Sequence, residues 1–474
     1  MKKRLKVLLI KPYNLSDHIQ PSLGLGYLAS NIRDICDVRI LDCIKERIQG
    51  KQLLSRLKSF TPDIVGVQVY TYDLKEVKDD LKAVKEFNSK IITLAGGPHP
   101  SAIPHETFLY MGDILDFIFV SEAEKGLPEL IKALSEESSE TIKKLRSEKL
   151  KNIPGLCWIN NSRFVSNKPL LNDNLDSLGF PAWDLIHPET YPEAQHGAFF
   201  KNFPIAPIIT SRGCPFNCTF CAGHIVSGKK IRQRSVNNVI EEIKTLTENY
   251  GIKEIHIIDD NFAMYKEYVM EFCKRLSKEK INISWATPNG IRVDRLDKEM
   301  LTAMKESGYY LASVGIEFGS DRMLKRVKKG LTKKKIIEGI NLIKDAGLDI
   351  AGFFIIGYIG ETKEEIKETI KFSCELPLLR ANFFLFLPLP GTESYLELKD
   401  RLELDKVDWE HFYFTRPTYN YLKISNKELK NLQREAFLRF YLRPKIFIKN
   451  LLQIKTLRQL RFLIKRAYRW IIAY

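Results

Sequence analysis

Two hydrophobic periodicities alternate along this chain. Short, nearly unbroken apolar runs rich in Val, Ile and Leu are followed by longer segments in which apolar residues recur every three or four positions. The first kind reads as a buried strand and the second as an amphipathic helix. Strands are expected at Leu5–Ile10, Val38–Leu41, Ile64–Tyr70, Ile91–Ala95 and Phe117–Val120. Between and after them, helices are expected over Leu23–Ile35, Lys51–Phe60, Leu74–Phe87, Pro104–Met111 and Gly126–Leu134. Strand–helix alternation of this kind predicts a parallel sheet covered on both faces.

Five such strands suggest a flavodoxin-like, doubly wound α/β domain over residues 1–135, with ligands at the carboxyl ends of the strands. A connector over 136–205 follows. Ser135–Lys151 reads as a solvated linker and Leu156–Val165 as a small hairpin about Asn160-Asn161-Ser162. The alternation resumes in residues 206–394. Strands are expected at Ile205–Thr210, Glu254–Ile258, Ile283–Ala286, Leu311–Ile316, Ile350–Ile356 and Asn382–Leu387. The intervening helices are Val236–Tyr250, Tyr265–Glu279, Lys298–Ser307, Lys333–Ala346 and Lys363–Leu376. This pattern predicts an open, partial (βα)6 barrel of the TIM type, with its chemistry on the loops that follow the strands. Residues 395–474 form a helical C-terminal region.

Composition adds limits. A chain of 474 residues with 44% hydrophobic and 28% charged residues is an ordinary soluble globular protein of two or three domains. The apolar run Val7–Ile10 is too short for a secretory leader, and no window reaches the ~18–20 residues of a membrane span. A cytoplasmic protein is expected. Cys36, Cys43, Cys157, Cys273 and Cys374 are scattered singly, as buried thiols are and disulfide frameworks are not.

The formal charge is +16, and half of it lies between Pro444 and Tyr474, where eight Lys or Arg meet no Asp or Glu. There Leu457, Leu460, Ile464, Ala467, Ile471 and Tyr474 share one helical stripe, with Arg458, Arg461, Lys465, Arg466 and Arg469 beside or opposite it. Such a helix can lie peripherally on an anionic inner-membrane surface, or pack on the barrel with its basic face solvated.

Candidate chemistry begins at Cys214, Cys218 and Cys221, a C-x3-C-x2-C loop directly after the strand Ile205–Thr210. Thiols so spaced can wrap one corner of an iron–sulfur cube, each reaching a different iron and leaving the fourth iron open. With His224 they could instead make a Cys3His zinc set. In the first domain, ligand-side loops are expected at Pro21–Tyr27, Gln68–Tyr72, Gly96-Gly97-Pro98-His99 and Ser121-Glu122-Ala123-Glu124.

The cysteine loop resembles the signature of radical S-adenosylmethionine (SAM) enzymes, and the first domain is similar to the cobalamin-binding domain that precedes many of them. The likeness is to the type of the anaerobic Mg-protoporphyrin IX monomethyl ester cyclase and the hopanoid methylases. It implies that Cys214, Cys218 and Cys221 hold a [4Fe-4S] cluster whose open iron is chelated by SAM. Asp259 or Asp260 stands where relatives outside this branch carry Gly-Gly-Glu, and one of them is expected to take the SAM ammonium. Arg292, Glu317, Gly357, Gly360 and Glu361 match further SAM-contact positions. Leu23, Gly24, Thr71, Gly96, Gly97, Pro98 and Glu122 match cobalamin positions. One departure is evident: Asp42-Cys43-Ile44-Lys45-Glu46-Arg47 lacks the histidine that ligates cobalt from below in other cobalamin proteins.

The resemblance implies cleavage of SAM to a 5′-deoxyadenosyl radical, hydrogen abstraction from an unactivated carbon, and then C-methylation or cyclisation. It further implies a small-molecule substrate, lipid- or porphyrin-like, and a reductase, ferredoxin or flavodoxin as electron donor. A methylthiotransferase acting on RNA would need three N-terminal cysteines where this domain offers Cys36 and Cys43, so nucleic acid is not an expected partner. A non-enzymatic metal module would leave the polar residues at successive strand ends without a purpose.

Overall fold

The computed structural model describes residues 4–14, 19–135, 147–197, 199–399, 414 and 419–471. Its first sheet contains β1 (Lys6–Lys11), β2 (Asp37–Asp42), β3 (Ile64–Gln68), β4 (Ile92–Gly96) and β5 (Phe117–Phe119), all parallel in the order 2-1-3-4-5. That is the doubly wound order expected of the α/β pattern. Alternate residues of the central strands enter opposite cores, because successive side chains point to opposite faces. Leu8, Ile10, Val65 and Val67 fill one core, while Val7, Leu9 and Ile64 fill the other. The hairpin of the connector, β6 (Leu156–Asn160) and β7 (Arg163–Ser166), adds antiparallel to β5 and extends the same sheet. Most of the expected Ser135–Lys151 linker lies outside the described residues.

The helices Lys51–Phe60, Leu74–Phe87 and Pro104–Met111 form as expected. The first helix ends early, at Ile32, where the Arg4 guanidinium binds the carbonyls of Arg33 and Cys36. Two short helices escaped the periodicity. Cys43–Glu46 starts on an Asp42 cap, and Pro98–Ala102 starts on a proline at its first position.

The second sheet is also parallel. After β8 (Ile205–Ile208), a two-stranded ribbon of β9 (Ser211–Arg212) and β10 (Arg232–Gln233) brackets the cysteine loop. Then come β11 (Glu254–Ile257), β12 (Ser284–Ile291), β13 (Tyr309–Glu317), β14 (Asp349–Ile356) and β15 (Arg380–Leu385). Their order, 15-14-13-12-11-8, is sequential and open at both edges, as a partial barrel requires. Strand β12 runs beyond its expected end because Pro288, Asn289 and Gly290 bulge without breaking the pairing. The barrel's core extends without a break to Leu23, Tyr27, Leu175, Leu178 and Trp183, so the first helix and the connector are packed on it.

A buried ionic lattice joins the two sheets. Glu122, after β5, accepts from both arms of Arg232 at 2.8 and 2.6 Å and from Arg212 at 3.2 Å. Arg212 reaches Glu124 at 2.7 Å, and the Asn172 N–H also donates to Glu122. Burial alone would raise the Glu122 carboxyl, but the two guanidiniums hold it below its usual range. Side-chain exposure is 2% for Arg232 and 5% for Glu122, so water contributes little screening.

The tail forms helices Asn426–Tyr441, Pro444–Leu452 and Leu457–Ile471. Phe437 and Phe440 pack on Phe383 of β15 at 5.3 and 6.3 Å between ring centres. The last helix places Leu460, Ile464 and Ala467 along the rim of the barrel cavity, with Ile464 still 60% exposed. Leu457 stays outside, 77% exposed, and the side chains of Ile471 and Tyr474 lie outside the described residues. Among the described residues no helix is long and apolar enough to cross a membrane.

Two substitutions test this packing. In the helix Lys333–Asp345, a Cβ on Gly339 would lie 2.4 Å from Val293 Cβ. Gly339→Ala is expected to lower the melting temperature, although helix propensity alone favours alanine by about 1 kcal/mol. Glu122→Ala leaves two buried guanidiniums short of a carboxylate and is expected to cost roughly 3–5 kcal/mol in urea unfolding.

Candidate active site

The cysteine loop leaves the carboxyl end of β8 and returns through the ribbon. Gly213 opens it at φ +100°, where a Cβ would sit 2.2 Å from the Lys230 carbonyl oxygen, so only glycine fits. Cys214 N–H donates to Gly228 O at 3.2 Å and Cys221 N–H to Cys218 O at 3.1 Å. Thr219 anchors the centre of the loop to three distant segments. Its N–H donates to Val327 O, its carbonyl accepts from Ser394 N, and its hydroxyl meets the Tyr358 hydroxyl at 2.6 Å. A loop tied in this way presents its thiols without help from their own bonding.

Desolvation holds all three thiols above the ordinary range, Cys221 at about 11, even though Cys221 opens onto a cavity. Among the described residues, no three His, Cys, Asp or Glu side chains are drawn together as a metal site. Cys221 lines the barrel cavity, and Cys214 and Cys218 stand on the same loop, so the three could hold a multi-iron cluster there.

The two aspartates after β11 have different roles. Asp259 is buried and already accepts from Thr210 N at 2.7 Å, the Ser211 hydroxyl at 2.7 Å and the Thr210 hydroxyl at 2.5 Å. Burial still raises it to about 6. It pins the end of β8 to the end of β11. Asp260 instead faces the open space beside Cys221. A Cβ on Gly223 would lie 3.2 Å from Asp260 Oδ1 and 3.6 Å from Cys221 Sγ. Burial raises the Asp260 carboxyl as well.

Other expected SAM contacts are engaged by the protein itself. Arg292 forks onto Asp294 at 2.9 and 3.1 Å, donates to Lys329 O, and stacks 3.7 Å over the Phe216 ring of the cysteine loop. Glu317 pairs with Lys329 at 2.8 Å in a buried site. Gly357, Gly360 and Glu361 form the turn after β14 and line neither large cavity. Glu361 accepts from Gly357 N at 2.6 Å and Tyr358 N at 3.2 Å, while its other oxygen is buried without a partner.

Two cavities meet at Asp260. One, about 800 Å3, lies between the carboxyl edge of the first sheet and the barrel mouth. All seven expected cobalamin residues, Leu23, Gly24, Thr71, Gly96, Gly97, Pro98 and Glu122, line it. Gly97, at φ +112°, leaves no room for a Cβ, which would be 2.9 Å from Val69 O. The Glu122 oxygens are taken by Arg212 and Arg232, so Glu122 shapes this wall through an ion pair. From the short helix after β2, Ile44 lines the cavity near the position where a cobalt-ligating histidine would belong. These residues would hold a corrinoid, and Ile44 offers no imidazole to its cobalt.

The second cavity, about 850 Å3, fills the barrel. Inward-facing Ala286, Ser313 and Ala351 leave a void where barrels usually pack branched side chains. Sequence reading missed its other walls, His196 and Phe199 from the connector, Arg380 and Asn382 from β15, and the tail helices. The one available signal was small or polar residues at alternate strand positions. In that wall His256 Nε2 meets Glu254 at 2.8 Å and its Nδ1 meets His196 Nδ1 at 2.6 Å.

Glu361 provides a test of the turn after β14. Burial pushes its carboxyl up to about 8 from 4.5, so its contribution to stability is complete below pH 4.5 and is lost as pH rises through about 8. Glu361→Gln, which imitates the protonated acid, is expected to flatten the fall of unfolding free energy between pH 5 and about 9, measured by urea titration at each pH.

Comparison with known proteins agrees with this geometry. The B12 binding domain model matches residues 16–131 and the Radical SAM superfamily model residues 208–373. An uncharacterised methyltransferase of Pyrococcus horikoshii is 33% identical over 95% of this chain and 93% of its own. The cytidylyl-2-hydroxyethylphosphonate methyltransferase of Streptomyces wedmorensis is 30% identical over 83% of this chain and 81% of its own. The fold is also that of the cobalamin-dependent SAM radical enzyme OxsB, whose structure with aqua-cobalamin and SAM covers 98% of this chain and 71% of that one at a TM-score of 0.74 and 18% identity. With a B12 binding domain and a Radical SAM domain in one chain, and methyltransferase relatives matched over most of its length, the chain belongs to the cobalamin-dependent radical SAM methyltransferase family.

Proposed function

We propose that the enzyme transfers a methyl group to an unactivated carbon of a largely apolar small molecule held inside the barrel. The observation that carries this reading is the position of Asp260, which borders both cavities and lies beside Cys221. In this family a reduced [4Fe-4S] cluster with SAM supplies the 5′-deoxyadenosyl radical, and methylcobalamin supplies the methyl group.

The chain's own residues hold and orient these partners. Cys214, Cys218 and Cys221 are the cluster ligands. Asp260, which accepts from the Gly213 N–H and otherwise faces the open space beside Cys221, takes the SAM ammonium in a charge-assisted hydrogen bond. Asp259 fixes the backbone on which Asp260 stands. Arg292 supports the loop from below through Phe216, and Glu317 holds Lys329 next to Cys218. Gly96, Gly97 and Pro98 give a corrinoid edge close access to backbone, while the tail helices supply apolar walls to the barrel cavity. Electrons come from a ferredoxin, flavodoxin or reductase.

The test is anaerobic reconstitution with iron, sulfide and hydroxocobalamin, then SAM and dithionite. A bound-corrinoid spectrum and release of 5′-deoxyadenosine are expected, with release abolished by alanine at any of Cys214, Cys218 or Cys221. Asp260→Asn is expected to weaken SAM by about tenfold or more while leaving the melting temperature near wild type. Asp259→Asn should lower the melting temperature instead. If Asp260→Asn leaves SAM affinity intact, the assignment of the ammonium site is wrong. A protein that holds neither cluster nor corrinoid would overturn the whole reading.

A further inference from the structure

Buried guanidiniums elsewhere in this molecule are matched by carboxylates. Arg212 and Arg232 meet Glu122, Arg234 meets Glu242, and Arg292 meets Asp294. Arg380 is the exception. It is 6% exposed, lines the barrel cavity, and has no carboxylate within ion-pair distance among the described residues. Its ring-facing side lies 3.8 Å over Phe199, its Nε is buried without a hydrogen-bond partner, and one Nη donates to the neutral Gln453 amide oxygen.

The nearest acids are already occupied. Glu254 accepts from Lys201 N, Asn202 N, the Ser284 hydroxyl, the Tyr310 hydroxyl and His256. Asp349 is reached only through Gln453, whose amide donates to it at 3.3 Å. Burial accordingly pushes Arg380 below its ordinary range, with Tyr310, Tyr441, Asp349 and Glu254 opposing from a distance.

A second guanidinium serves the same wall. Arg466, from the last helix, donates to Asn382 Oδ1 at 3.0 Å and also lacks an acidic partner among the described residues. Arg380 and Asn382 stand two residues apart on β15 and face the same interior. The cavity therefore combines an apolar body with two cations on one side. A buried charge left without a counter-ion is costly, and a ligand that brings one recovers that cost.

We infer that the substrate is an apolar molecule carrying one oxyanion, a carboxylate or a phosphate, and that Arg380 and Arg466 grip it. The inference rests on reading the barrel cavity as the substrate site. Arg380 is the first residue of β15, at the amino end of the parallel strands, while the cysteine loop leaves the carboxyl end of β8. The oxyanion is thus bound remote from the carbon that reacts, and the apolar body of the substrate spans the interval. This geometry favours an anionic substrate over a purely neutral lipid and makes the charged group a specificity handle.

The experiment is calorimetric titration of the full-length, cluster- and cobalamin-loaded protein with decanoate, decyl phosphate and decan-1-ol. At least one anion is expected to bind tenfold or more tightly than the alcohol, and the better anion identifies the oxyanion class. Arg466→Gln and Arg380→Gln should each erase most of that preference and leave decan-1-ol binding unchanged. Equal binding of anions and alcohol by the wild type overturns the inference. So does a folded Arg466→Gln protein that keeps the preference, which decides the matter even if Arg380→Gln fails to fold. Formation of 5′-deoxyadenosine is assayed in the same preparations. Deoxyadenosine without anion preference sinks this inference alone, while anion preference without deoxyadenosine sinks the proposed reaction and leaves the anion site standing.

Discussion

The arrangement depends first on four buried charges. Glu122 and Glu124 come from the loop after the fifth strand of one sheet, and Arg212 and Arg232 come from the ribbon that closes the cysteine loop. Two cations against two anions make a neutral lattice, and in a site from which water is excluded each charge needs its partner. Geometry follows from that requirement. The carboxyl edge of the first sheet cannot slide over the barrel mouth without uncovering a charge, so the corrinoid-sized cavity stays in register with the cysteine loop.

Space is the second design element. Gly97 and Gly213 admit backbone where a side chain would collide, one beside the upper cavity and the other at the mouth of the cysteine loop. Within the barrel, Ala286, Ser313 and Ala351 occupy inward positions that branched residues would otherwise fill. The void they leave is bordered on its outer side by the connector and by the last helices. The amphipathic tail forms part of that border, and its Arg466 stands in the cavity wall.

Several site residues turn out to act through other residues. Arg292 and Glu317 lie near the cysteine loop, as their positions after the third and fourth barrel strands imply, yet their polar atoms are spent on Asp294, Lys329 and the Phe216 ring. Asp259 and Asp260 are neighbours of identical chemistry with opposite fates. One is enclosed by Thr210 and Ser211, and the other opens toward Cys221. Glu361 is enclosed by its own turn. Strand-end position identifies where such residues sit, and the partners they find in three dimensions decide what they do.

By itself the sequence determined the parts governed by local periodicity and spacing. The strand–helix alternation, the parallel order of both sheets, the three thiols and the glycine-rich edge follow from contacts between near neighbours in the chain or from the geometry of one loop. Only the tertiary structure decided the rest. Arg380, His196 and Arg466 are separated by scores of residues, and each alone is an unremarkable polar side chain in the sequence. Their convergence on one cavity depends on the curvature of the sheet and the docking of the tail, which arise from packing summed over the whole molecule and leave no periodic trace in the chain.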